Sequence, residues 1–270
     1  MKGVDVSAHN TNVNFSALRR GGVDFAILRA GLGLKVDSRF RRHLKDAKAA
    51  GMLIGAYWFA YPLSAREAQL EADKCAAALS DVEIDLPVFY DFEYDTERYA
   101  NEKGARFGID QRTSLITAFC ERLKSHGFTV GIYTNPDYWL FKLDSAKLSR
   151  YPLWIAAYRR SDCRATFADT SPSDIPPAFA KAMIWQPGKC RMNGSGWGEI
   201  DIDYGYGLPA AKTQQTKSGY KTGDLYKIKA GDKYSNGHAV PARLVGTTYT
   251  VKQVKKDAIL LKEILSWVRV

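Results

Sequence analysis

The chain has 270 residues, is 46% hydrophobic and 12% aromatic, and carries a net charge of +10. Such a composition excludes a disordered or fibrous protein and provides apolar side chains for a full-sized core. The apolar stretch MLIGAYWFAY at 52–61 is about half of the roughly 20 residues a membrane-crossing helix needs, so no membrane insertion is expected.

In chain order, the opening MKGVDVSAHN has no apolar segment behind its lysine, which predicts that no secretory signal peptide is present. Apolar, strand-type runs then recur at 23–31, 52–61, 86–94, 128–135, 151–158 and 181–187. Near-continuous apolar strands are what a parallel sheet covered on both faces requires. Between them, 38–50 places Phe40, Leu44 and Ala47 on one helical face, 64–79 opens with the capping-box pattern SARE, and 111–126 ends at Gly127. Alternating strands and helices predict an α/β fold, a (β/α) barrel over residues 1–209. The Ser-, Asp-, Thr- and Pro-rich segment 159–177 predicts a loop in place of a helix, hence an irregular barrel with missing outer helices.

Residues 210–219, polar and without large apolar side chains, predict a linker. The runs beyond it, broken by glycine and Asn-Gly, predict a small all-β barrel over 220–270. Residues 211–270 carry 12 Lys and Arg against 4 Asp and Glu, while residues 1–210 carry 27 against 25. The basic excess therefore sits in the C-terminal module and points to an anionic partner. No nucleic-acid motif accompanies it. The four cysteines lie far apart, with no C-x-x-C and no histidines at ligand spacing, so no metal is expected. Cys75 and Cys120 fall in apolar helical patterns as buried thiols; whether Cys163 and Cys190 pair is open.

The run LPVFYDFEYD at 86–95 ends in three carboxylates. In a strand, residues two apart share a face, so Asp91 and Glu93 project together where a buried strand finishes. Catalytic groups of a (β/α) barrel gather at the C-terminal ends of its strands. Two carboxylates there suit glycoside hydrolysis, one giving a proton to the leaving oxygen and one staying ionised. GVDVS places Asp5 at a comparable strand end, and EIDID does the same for Asp201 and Asp203, alone or together. Tyr57, Tyr61, Tyr133, Trp154, Tyr158 and Trp185 fall near the same ends, where flat rings match the C–H faces of sugars. Asp95 reads as a solvated loop residue.

Taken in order, GVDVSAHN, VDFAILRAGLG, LPVFYDFEYD, GFTVGIYTN, LWIAAY, IWQP and GEIDID resemble glycoside hydrolase family 25, the muramidases that include many phage endolysins. The resemblance implies hydrolysis of the β-1,4 bond between N-acetylmuramic acid and N-acetylglucosamine in peptidoglycan, without cofactor. It makes Glu93 the general acid, has Asp91 stabilise the charged intermediate or orient the 2-acetamido group, and lines the pocket with Asp5 and Asp201. It further implies a bacteriophage or prophage endolysin, made in the host cytoplasm and acting on the cell wall after release. The alternative is a non-catalytic peptidoglycan-binding module. Residues 220–270 are similar to bacterial Src-homology-3-like wall-binding domains, with Tyr220, Tyr226, Tyr234, Tyr249 and Trp267 beside lysines for an anionic wall polymer.

Overall fold

The computed structural model describes residues 1–209, 219–255 and 257–270, so the linker expected at 210–219 lies almost wholly outside the described residues. The chain divides into two compact units, Met1–Ala211 and Lys212–Val270.

In the first unit, eight strands close into a barrel: β1 (Lys2–Val6), β2 (Phe25–Leu32), β4 (Leu53–Phe59), β5 (Val88–Asp91), β6 (Val130–Thr134), β7 (Leu153–Ala156), β8 (Ile184–Cys190) and β9 (Ile200–Gly205). Seven run parallel in that order, and β9 closes the circle antiparallel to both β8 and β1. A two-residue strand, β3 (Lys35–Val36), folds back onto the end of β2. Helices α1 (Phe15–Arg20), α2 (Phe40–Ala49), α3 (Ala65–Leu79), α4 (Tyr94–Glu102) and α5 (Ile109–Ser125) fall between the strands up to β6. Between β6 and β7 stand a five-residue π-helical turn (Tyr138–Lys142) and the four-residue α6 (Ser145–Leu148), and between β7 and β8 the described helices are 3-10 turns at Pro172–Asp174 and Pro177–Phe179. An all-parallel strand set, implicit in a simple (β/α) barrel, is therefore corrected. The β8–β9 connection spans only nine residues, too few for a parallel crossover, which takes a dozen or more.

Strand alternation sorts the side chains into two layers. Val4, Leu28, Ile54, Trp58, Tyr90 and Ile132 face the helices, while Phe25, Ile27, Leu53, Tyr57, Phe89, Tyr133, Trp154 and Ile184 fill the barrel interior. The interior is packed so closely that a Cβ on Gly131 would lie 2.5 Å from the Phe89 ring. Helix ends follow their local chemistry. Ser64 Oγ accepts from Glu67 N–H (3.2 Å) at the start of α3, and Gly127 takes the positive φ (89°) that ends the turn after α5.

The second unit is an antiparallel sheet ordered β10 (Leu225–Lys227), β11 (Thr248–Lys255), β12 (Ala258–Leu261) and β13 (Ser266–Arg269). Of the small all-β unit expected here, the described residues show this four-stranded antiparallel sheet, with a further bridge from Tyr234 to Val268 of β13. Tyr226 and Tyr249 lie in its core with Ile228, Val251, Ile259 and Val268, which removes them from any wall-gripping surface. Trp267 remains partly exposed, with Lys255 Nζ 4.2 Å from its ring centroid. Among the described residues, no helix is long and apolar enough to cross a membrane.

Candidate active site

Each carboxylate of the barrel mouth is placed by its strand. Asp5 is the fourth residue of β1, and Asp91 is the last of β5. Glu93 lies just past β5, as the residue preceding α4, but its backbone is still extended (φ −151°, ψ −165°). The pleat therefore continues through Phe92, whose ring packs outward, and returns Glu93 to the face of Asp91. Helix α4 then starts at once, which corrects the reading of Asp95: it sits in a first helical turn and pairs with Arg98 (2.7 Å).

Asp201 reaches the same mouth by the opposite route. Because β9 is antiparallel, its beginning, rather than its end, lies beside the end of β1, with Asp201 directly opposite Asp5. The same reversal sends Asp203 inward, opposite Gly3. There it is fully buried, with Oδ1 accepting from Trp154 Nε1–H (2.8 Å). Asp203 and Trp154 thus form a floor beneath the mouth, closed to substrate, and Trp154 packs edge-on against Tyr57, Phe89 and Tyr133. Trp185 is also withdrawn from the expected sugar site. It faces outward from β8, stacks with Tyr204 at 5.8 Å and donates from Nε1 to Ala157 O (2.9 Å).

The remaining aromatics do surround the mouth. Tyr57 and Tyr133 line its inner wall, Tyr158 is 42% exposed near it, and Tyr61 packs between Phe59 and Tyr99 on the loop after β4. Two residues that the sequence reading passed over join them. Gln186 accepts at Oε1 from Tyr133 OH (2.9 Å) and Tyr158 OH (3.1 Å), and donates from Nε2 to Asp5 Oδ2 (2.7 Å). Arg29, the fifth of the eight residues of β2, is locked by Asp37 (2.6 Å) and acts on Asp91 through its positive charge. The signal for both was present: a single polar residue inside an otherwise apolar, strand-type run.

Crowding of acids inside a closed wall dominates the electrostatics. Burial, with the negative charges of Asp201 and Asp203, pushes the Asp5 carboxyl well above its ordinary range, opposed by the Gln186 hydrogen bond. Burial and the Glu93 charge do the same to Asp91, whose Oδ1 is buried without a protein hydrogen-bond partner. Burial, Asp95 and Asp201 raise Glu93 to about 7. Asp201 is raised to about 6 by burial, against the opposing charge of Lys189. Like charges this close share protons, so Asp91 and Glu93 titrate as a pair. A paired acid and base near neutrality can both donate and accept a proton.

Asp203 provides a separate test of this interior. Its pKa is raised by burial and by Asp201. The folded protein therefore holds its proton to higher pH than the unfolded chain, and stability is lost as pH rises above about 4. Asp203→Asn keeps an acceptor for Trp154 and removes the ionisation. Its Tm should match the parent near pH 4 and exceed it at pH 7, read by thermal melts at both values. An equal difference at the two pH values would exclude buried ionisation as the cause.

All four cysteines are free, Cys75, Cys120 and Cys190 buried and Cys163 partly so. Cys190 belongs to β8 rather than to a loop. Among the described residues, no group of three or more His, Cys, Asp or Glu is arranged to hold a metal ion.

Residues 4–187 match the family model of glycosyl hydrolases family 25, a span that includes Asp5, Asp91 and Glu93 and stops short of β9. The autolytic lysozyme of Clostridium acetobutylicum is 30% identical over 159 residues, 58% of this chain and 45% of that protein. The chain thus spans less than half of that relative's length. Among solved structures, a bacterial lysozyme from Streptomyces coelicolor aligns with a TM-score of 0.57 at 25% identity, covering 77% of this chain and 93% of the other. The CTP1L endolysin aligns with a TM-score of 0.60 at 26% identity, covering 76% and 66%.

Proposed function

The chain belongs to the glycosyl hydrolases of family 25, and from that membership and the acids of the barrel mouth we propose that it is a peptidoglycan hydrolase, an N-acetylmuramidase. The observation that carries this reading is Glu93, raised to about 7 by burial, at the rim beside an Asp91 whose Oδ1 has no protein partner. Protonated Glu93 gives its proton to the glycosidic oxygen as the bond to the anomeric carbon breaks. The substrate's acetamido N–H donates to Asp91 Oδ1, which favours the charged form of Asp91 and leaves the shared proton on Glu93. The acetamido oxygen closes on the anomeric carbon from the face opposite the departing oxygen, a first inversion that the later attack of water reverses to give net retention, and the Asp91 charge stabilises the cationic ring that forms. Glu93, now a carboxylate, takes a proton from the water that opens this ring. Asp5, oriented by Gln186, and Asp201 shape the mouth around the sugar.

The test is digestion of purified peptidoglycan with reducing-end and mass analysis. New muramic acid reducing ends are expected; new glucosamine ends or free peptides would overturn the assignment. A non-catalytic binding role is disfavoured because the acid pair is intact and lies within the stretch that matches the family.

The wider role in this proposal is that of a phage or prophage endolysin, made in a bacterial host and acting on the wall after release. Its second unit serves as a wall anchor. Support comes from the likeness to the CTP1L endolysin and from the basic excess of residues 211–270. Tethering raises the local concentration of substrate for the hydrolase. Ending the chain at Ala211 should reduce sedimentation with purified walls, and raising salt to about 0.5 M should weaken the full chain in the same way, because surface charges are screened. Equal pelleting of truncated and full-length protein would exclude the second unit as the anchor.

A further inference from the structure

A cavity of about 580 Å³ opens on the β8–β9 hairpin, lined by Arg164, Thr166, Lys189, Cys190, Arg191 and Glu199. Its wall is built by the backbone. Lys189 N–H donates to Cys163 O (2.9 Å) and Ala165 N–H to Lys189 O (3.1 Å), which lays Arg164 alongside Lys189. Gly188 permits that approach: its φ is +149°, and a Cβ there would stand 2.5 Å from Cys163 O.

Two cations share one carboxylate in this groove, and a third stands beside them on a backbone carbonyl. Arg164 Nε lies 3.3 Å and Lys189 Nζ 3.4 Å from Glu199, while Arg191 Nη2 donates to Trp197 O (2.9 Å). The Arg164 and Lys189 side chains remain 70% and 44% exposed, so their positive charge is open to a ligand. Trp197, on the same hairpin, is 76% exposed, a flat apolar face beside the cations. The groove also adjoins the mouth through Lys189, whose charge acts on Asp201. Lys189 is in register with Asp201, and Asp201 with Asp5, so the three form one row across β8, β9 and β1 with strands about 4.8 Å apart.

We propose that this groove is a second subsite of the hydrolase unit, one that binds a carboxylate branching from the glycan held in the mouth, as the stem-peptide carboxylates of peptidoglycan do. It rests on the hydrolase reading. Short reach favours a group attached to the bound sugar over a separate polymer, since the groove begins one strand spacing from Asp201. Arg164 and Arg191 take the carboxylate oxygens, and Trp197 packs on the neighbouring ring or peptide.

The test uses the full chain and three probes: soluble peptidoglycan strands with free stem carboxylates, the same strands amidated, and a glycerol-phosphate polymer as competitor. Arg164→Ala/Arg191→Ala should raise KM on carboxylate strands about tenfold, with the loss in KM rather than kcat, and abolish the preference over amidated strands. The one ion pair lost, Arg164–Glu199, and the Arg191 hydrogen bond to Trp197 O are both exposed, so folding should persist. Glu199→Gln should lower KM on carboxylate strands about threefold, a gain that misfolding cannot produce. An unaltered KM in the double variant, or equal KM for amidated and carboxylate strands in the parent, overturns the proposal. Competition by the glycerol-phosphate polymer that the double variant loses, without any effect of amidation, assigns the groove to phosphate and also overturns it. Calorimetric binding of strands to Glu93→Gln protein reads the groove without turnover. If the parent hydrolyses nothing but the tenfold difference persists there, the hydrolase reading fails and the subsite stands; if the difference is absent, the subsite fails.

Discussion

Glu93→Gln is expected to retain fold and wall binding while losing hydrolysis by about 10³-fold, within the range a positioned general acid contributes. The amide has nearly the shape of the carboxyl but no proton to give. Its effect should fall on kcat, because the interaction lost is made as the glycosidic bond breaks. The local backbone should be unperturbed, since Glu93 is anchored through its own N–H to Thr96 Oγ1 (3.3 Å), a bond the substitution leaves in place. The pH dependence carries the same assignment. With Glu93 raised to about 7, the protonated form declines as pH rises through that value, so activity falls on the alkaline side. Turbidity clearing of purified walls between about pH 5 and 9 measures both effects. Near-normal clearing by Glu93→Gln would remove Glu93 from the mechanism.

Asp91→Asn is expected to lower kcat by about 10²-fold, the scale on which loss of one preorganised electrostatic partner is felt. The substitution keeps an oxygen to accept the acetamido N–H but removes the negative charge that stabilises the cationic intermediate. It also takes a like charge away from Glu93, which should then lose its proton more readily. The alkaline limb of the pH profile should move to lower pH, a shift that a merely structural role for Asp91 would not produce. Burial makes the fold tolerant: Asp91 Oδ1 has no protein partner to lose, and a neutral group in that position is cheaper to bury than a charge. A variant with lowered kcat but an unmoved alkaline limb would separate Asp91 from the proton shared with Glu93.

Much of this site was legible from particular residues. Charges that end apolar strands, at Asp5 and Asp91, violate the pattern of a buried strand, and such violations concentrate where a fold is used. Glu93 shares the face of Asp91, although the strand ends two residues earlier, because its backbone stays extended up to the first turn of α4. Asp201 was assigned to the site as the end of a parallel strand, yet it arrives as the start of an antiparallel one. Trp185 and Trp154 show the complementary failure. Both lie in strands of the barrel, but one faces outward and the other is sealed under the mouth by Asp203. Gln186, the neighbour of Trp185, was overlooked although alternation alone sets it on the opposite face.

By itself the amino-acid sequence determined the alternation of the main strands with helices, the separation of a nearly neutral first part from a basic second one, and the placing of Asp91 and Glu93 on one face where an apolar strand ends. Those features are local: periodicity, capping and composition act over a few residues and need no knowledge of distant ones. The tertiary structure alone decided the direction of β9, and with it which of Asp201 and Asp203 lines the mouth and which lies in the floor. It also decided the proton sharing among Asp5, Asp91, Glu93 and Asp201. That sharing depends on how far each carboxyl is withdrawn from water and on which charges face it across the barrel, quantities that exist only once residues as distant in the chain as Asp5 and Asp201 are closed into one wall.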